Sequence, residues 1–206
     1  MPRKRNAIKR RQNNLRQTRA FVEDWLGRGT AYSKYTTNHK TFTSTVLKRS
    51  NVTEKELLKR KEDAIASTIE SGRSSLIYFK DLTSDTMAHE FSHAALNRIK
   101  RKLGVKTNIY AEETIAYCLM LEWLRKKNPS AYNRALKKKF KLTVRSFFGP
   151  SHSQTHAIAG LNAIMIQQKF SEAERYSLIQ DLIRQQFESA YDSSEWIRNI
   201  IRTQKK

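Results

Sequence analysis

Apolar residues recur at three- and four-residue spacing along most of this chain, and strand-like patterning is confined to short stretches. Phe21, Val22, Trp25 and Leu26 predict a short amphipathic helix ended by Gly27 or Gly29. TFTSTVLKR, residues 41–49, is Thr-rich and alternating, and predicts a strand. TEKELLKRKEDAIASTIES, residues 53–71, predicts a helix that turns Leu57, Leu58, Ala64, Ile65 and Ile69 to a core and stops at Gly72. SSLIYFKDL, residues 74–82, is a second strand candidate. Thr83, Ser84 or Asp85 can then cap a helix. Beyond Gly104, Ala111 to Lys127 has Ile115, Ala116, Leu119, Met120 and Trp123 on one side, and Asn128-Pro129 ends it. Residues 130–141 form a very basic helical piece. After Gly149-Pro150, residues 155–169 read as a nearly apolar helix. Ser171 with Glu172 and Glu174 opens a final amphipathic run to about Arg202. The expected class is α+β, predominantly helical, with a small sheet and a C-terminal helical part. The expected division is a basic arm over 1–20, a core over 21–150, and a helical part over 151–206 that packs on it.

Charge changes this picture more than length does. Lys and Arg outnumber Asp and Glu by 40 to 19 in 206 residues, a net charge of +21. Such an excess repels itself in a compact fold, and nucleic acid is the commonest polyanion that relieves it. Residues 1–20 hold eight Lys or Arg and no acid, so an arm that stays mobile until bound is expected there. Other clusters occur at Lys59–Lys61, Arg98–Lys102, Arg125–Lys127 and Lys137–Lys139. No zinc-finger, RNA-recognition or basic-zipper signature is present, so binding is expected to be non-specific and directed at phosphate. The candidate contacts are Arg3, Lys4, Arg5, Lys9, Arg10, Arg11, Lys137, Lys138 and Lys139. The single cysteine, Cys118, excludes an internal disulfide and cysteine-rich metal modules. With no secretory pattern and no apolar run of transmembrane length, an intracellular, cytoplasmic location is expected.

The candidate chemistry lies in DTMAHEFSHAALNRIKRK, residues 85–102. His89-Glu90-Phe91-Ser92-His93 matches H-E-x-x-H. Residues four apart share a helix face, so both imidazoles can ligate one metal ion. Glu90, beside the first ligand, is placed to take a proton from a metal-activated water. A third ligand is required. Leu96 and Ile99 stand where the metzincin pattern needs Gly and His. The next helix opens with Glu112 and Glu113, paired acids in an otherwise apolar segment.

His89-Glu90-x-x-His93 followed by Glu113-x-x-Ala116 resembles the gluzincin class of zinc metallopeptidases, and E-E-x-x-A-Y resembles small zincin-like metallopeptidases of bacteriophages. The resemblance covers residues 75–124. It implies a zincin-like fold, Zn2+ as cofactor, a peptide or protein substrate, and Glu113 as third ligand. It also implies that the strand before the motif helix, here SLIYFKDL, is the edge on which substrate lies. Where thermolysin-like members have Asp, this chain has Tyr117. The SprT type of repair protease also combines H-E-x-x-H with basic surface, but completes its site with a further His that is not seen here.

His152 and His156 form a second pair four apart, at an expected helix start. Three readings stand open: His156 or His152 holds an oxyanion in the transition state, the pair is a separate metal site, or it serves helix entry. Tyr117 and Tyr110 are rival oxyanion donors. The expected function is a zinc-dependent peptidase with a nucleic-acid-binding surface, and the viral resemblance adds packaging in a virion. A non-catalytic nucleic-acid-binding or virion structural protein on the same fold is the alternative.

Overall fold

The structure, a computed structural model, describes residues 2–37, 66–71, 74–79, 83–104, 108–146 and 151–203. It is predominantly helical with a small sheet, the α+β class expected. The chain divides into two compact units, Met1–Ile99 and Lys100–Lys206.

The first unit opens with α1, Pro2–Leu26. The residues expected as a basic arm are helical, continuous with the amphipathic segment. The reason is local. Between Pro2 and Gly27 there is no helix breaker, and Arg, Lys, Gln and Ala favour helix. Pro2 stands at the first helical position, where its missing N–H costs nothing. Leu15, Thr18, Phe21, Val22, Trp25 and Leu26 are buried, a stripe at three- and four-residue spacing that begins earlier than the apolar residues near Trp25 suggested. Gly27 closes the helix at φ 108°, donating to the Glu23 carbonyl at 2.8 Å.

Three strands follow: β1, Ser33–Thr36; β2, Ala66–Ser71; and β3, Ser74–Phe79. Their order is β1-β3-β2, with β1 parallel and β2 antiparallel to β3. Two expectations change. ASTIES is a strand, not the end of a helix: Ser71 pairs with Ser74, so only Gly72 and Arg73 separate the paired ends, a hairpin length. β3 is the central strand, buried from Ser75 to Phe79, so it cannot be the open edge that the gluzincin resemblance implied. The strand expected at 41–49, the helix expected at 53–65 and His39 lie outside the described residues.

The motif helix, α2, runs Ser84–Leu103 and crosses the division between the units. The Thr83 carbonyl accepts from Met87 N at 3.0 Å, and its hydroxyl donates to Thr86 Oγ1 at 2.7 Å. Met87, Ala88, Phe91, Ala94, Ala95 and Leu96 are buried, with the Phe91 ring edge-on to Phe79 of β3. Gly104 ends α2 at φ 68°.

The second unit holds α3, Ile109–Lys127; α4, Pro129–Ser146; α5, Ser151–Lys169; α6, Glu172–Leu182; and α7, Ala190–Thr203. α5 packs against α3, α4 and α7. Every residue of α3 from Ala111 to Leu124 is buried. Asn128 serves two helices: its N–H donates to Leu124 O at 2.7 Å, and its side chain accepts from Ala131 N at 2.9 Å. The final amphipathic run is two helices rather than one. Ser189 caps α7, accepting from Asp192 N at 3.2 Å while Asp192 accepts from Ser189 N at 2.8 Å. That reciprocal pair competes with helix continuation through residues 183–189.

Candidate functional site

On α2 the motif residues behave as their spacing requires. The Nε2 atoms of His89 and His93 are 3.1 Å apart, with the rings near perpendicular at 76°. Two nitrogens bound to one tetrahedral zinc at 2.0–2.1 Å stand about 3.3–3.4 Å from each other, so this pair has nearly the bite such an ion needs. The same separation suits a hydrogen bond between the rings when one Nε2 is protonated and the other is not. Both imidazoles are half-buried, and Glu90 between them in sequence is buried, 7% exposed. The helix beneath is fixed by its apolar face and by Ser92, whose hydroxyl donates to Ala88 O at 2.7 Å.

The acids of α3 divide their work. Asn108 caps the helix, accepting from Ala111 N at 3.1 Å and donating to Phe187 O at 2.8 Å. Glu112 and Glu113 are both buried. Glu112 accepts from Lys100 Nζ at 2.6 Å, and both side chains are almost wholly out of water. Glu113 points to different chemistry: its Oε2 is 3.0 Å from His156 Nδ1 of α5. The Tyr117 hydroxyl, one turn on from Glu113, is 3.2 Å from the same Nδ1. The Tyr117 hydroxyl donates to a bare Nδ1 or accepts from a protonated one, and a protonated ring lies within ion-pair distance of the Glu113 carboxylate.

Of the readings left open for the second histidine pair, this geometry brings His156 to Glu113 and Tyr117. His152 lies in the first turn of α5, and its side chain is outside the described ones. Tyr117, rather than Tyr110, is the tyrosine whose hydroxyl meets His156.

The basic residues separate into three kinds. Arg10, Arg11 and Lys137 are exposed. Arg3, Lys4, Arg5 and Lys9 lie on α1, and Lys138 and Lys139 on α4. Lys100 departs from its cluster: 2% exposed and paired with Glu112, it belongs to the interior and not to a polyanion surface. Its signal was its position. It is seven residues after His93, and therefore on the same face of α2 as both histidines.

Behind Tyr117 the packing is also polar. Glu122 accepts from Arg175 Nε, from Gln167 Nε2 at 2.8 Å and from Arg125 at 2.9 Å. Cys118 sits among these groups, and burial, then the Glu122 charge, push its thiol pKa far up. It is a protonated, inert core residue. Comparison with protein-family models, curated proteins and solved structures gives no match.

Proposed function

We propose that the chain is a metal-dependent peptidase of gluzincin type, with His89, His93 and Glu113 holding a zinc ion. The observation that carries this reading is the convergence of the two Nε2 atoms at 3.1 Å. The donor types agree with it: two imidazoles and a carboxylate are a catalytic zinc set, and these three are the group among the described residues that could hold a metal ion. The commitment of Glu112 to Lys100 supports Glu113 as the carboxylate donor.

A bound divalent ion supplies Lewis-acid polarisation and makes water a nucleophile near neutral pH. The chain's own groups do the rest. Glu90, buried beside the two histidines in sequence, accepts the proton of the attacking water. Tyr117 and His156, whose Oη and Nδ1 are 3.2 Å apart, supply hydrogen-bond donors to an oxyanion. His156 also orients Glu113.

The test compares metal content and peptide hydrolysis in the purified full chain. The expectation is about one zinc per chain in the wild type and in Glu90→Gln, with hydrolysis lost in Glu90→Gln. Glu113→Ala should lose the metal. Hydrolysis by Glu90→Gln at the wild-type rate would sink the mechanism, and an unaltered metal content in Glu113→Ala would sink the ligand set.

A further inference from the structure

Over residues 10–13, α1 has no side that belongs to a core. Arg10, Arg11, Gln12 and Asn13 are all exposed. Four consecutive residues at 100° each go round nearly the whole circumference, so the helix stands clear of other chain there. Burial begins only at Leu15. On the same helix, Arg3 and Arg10 fall in one column, Lys4 and Arg11 in a second, and Arg5, Lys9 and Arg16 in a third. The columns are roughly 100–130° apart, so cations are placed all round the helix. The first acid in the chain is Glu23.

This arrangement is costly to the free protein. Arg5 and Lys9 are a like-charge pair at i,i+4, which destabilises a helix. No acid lies within the first twenty residues to compensate. A membrane surface would use one side of a helix and would require an apolar face; Ala7 and Ile8 are the apolar residues between Pro2 and Asn13, too few to form one. A groove with phosphates on both walls meets a helix from several sides at once. The B-form major groove, about 12 Å wide, admits an α-helix, whereas the A-form major groove is too deep and narrow.

We infer that residues 2–13 of α1 are a preformed DNA-binding helix that lies in the major groove of a duplex, held by phosphate contacts from Arg3, Lys4, Arg5, Lys9, Arg10 and Arg11. Leu15 to Leu26 anchor it to the first unit. The inference is independent of the metal reading.

The experiment measures binding of the full chain to a short mixed-sequence DNA duplex across a salt series. Six phosphate contacts give a slope of about −5 in log K against log salt, or about a thousandfold loss between 50 and 200 mM. Replacing the six cations by Gln, a good helix former, should flatten the slope by about 5. A change smaller than about 2 would overturn the assignment. Protection of guanine N7 from dimethyl sulfate by the wild-type chain, lost in the variant, is expected for a helix in the major groove, and unprotected N7 would overturn that placement. Equal or tighter binding to an RNA duplex, to polyglutamate or to phosphatidylserine vesicles would also overturn it. Should the six-fold variant fail to fold, the pair Arg10→Gln/Arg11→Gln, which leaves Leu15 to Leu26 intact, is expected to flatten the slope by about 2; an unchanged slope there would overturn the proposal.

Discussion

Replacing Glu112 alone should be among the most damaging substitutions in the second unit, and replacing it together with Lys100 among the mildest. Lys100 Nζ and Glu112 Oε1 are 2.6 Å apart, with side chains 3% and 8% exposed. At an effective dielectric constant of about 20, unit charges at that distance attract by about 6 kcal/mol. Desolvation costs several kcal/mol for each ion, so the pair as a whole contributes little net stability. Removing one partner keeps the desolvation cost of the other and loses the attraction. Glu112→Leu should therefore destabilise by about 3–5 kcal/mol, a large part of a typical total. Lys100→Met/Glu112→Leu should return to within about 1–2 kcal/mol of the wild type, or exceed it. Urea unfolding followed by tryptophan fluorescence reads this directly, since Trp123 is buried on α3. With m of about 2–3 kcal/mol/M, the single variant shifts the midpoint by about 1–2 M. A double variant less stable than Glu112→Leu would refute the reasoning, because the two charges would then not be compensating each other. On the proposed ligand set, the double variant should bind zinc as well as the wild type does. If it folds but binds none, Glu112 and not Glu113 is the carboxylate ligand.

Two further outcomes depend on pH. Burial raises the folded-state pKa of Cys118 above its unfolded value, so its contribution to stability is complete below about pH 8.5 and is lost as pH rises beyond it, by up to about 1.4 kcal/mol per pH unit. The stability of the wild type relative to Cys118→Ala should fall between pH 8 and 10, and iodoacetamide should label the thiol only in urea; native labelling at the unfolded rate would refute the assignment. Glu174 shifts the other way. The Ser171 hydroxyl, then the Ser171 backbone N–H, hold its carboxyl below the usual glutamate range. Its contribution is present above about pH 4.3 and is lost as pH falls through the lower folded value. Urea midpoints of wild type and Glu174→Ala should converge between pH 5 and 3, and a constant difference would remove the capping box as the cause.

What the sequence made legible was what local chemistry decides. H-E-x-x-H on a helix, an acid pair opening the next helix, the Asn128-Pro129 junction and the Ser171 capping box each follow from spacing or capping rules, and each is where those rules place it. The misread features depend on what lies across from a segment. ASTIES has Ala, Ser and Thr where either period fits, and its pairing with β3 decides for strand. Lys100 looked like surface because it sits in NRIKRK, and only Glu112, twelve residues on, shows it to be interior. His156 is 39 residues from Tyr117, and no spacing rule relates them. The break between α6 and α7 has no Gly or Pro, and the Ser189-to-Asp192 box that explains it lies within a longer amphipathic pattern that masks it.

The sheet bears on how far the gluzincin resemblance extends. A substrate that binds by strand addition needs an unpaired row of N–H and C=O groups. β3 has β1 on one side, from Ser33↔Ser75 to Thr36↔Tyr78, and β2 on the other, from Ala66↔Phe79 to Ser71↔Ser74. Its backbone is therefore committed along the length that precedes α2. What β3 gives the motif is rigidity: five consecutive buried residues, with Phe79 packed on Phe91 between the two histidines in sequence. The histidine geometry and the strand-edge geometry are thus separable in this chain. The first follows from residues four apart on one helix and is intact at 3.1 Å. The second would require β3 to lie at an edge, and strand order excludes it. On the peptidase reading proposed above, a peptide substrate would accordingly be positioned by side-chain contacts or by backbone other than β3, and specificity should be insensitive to β3 residues that leave the Phe79–Phe91 contact in place.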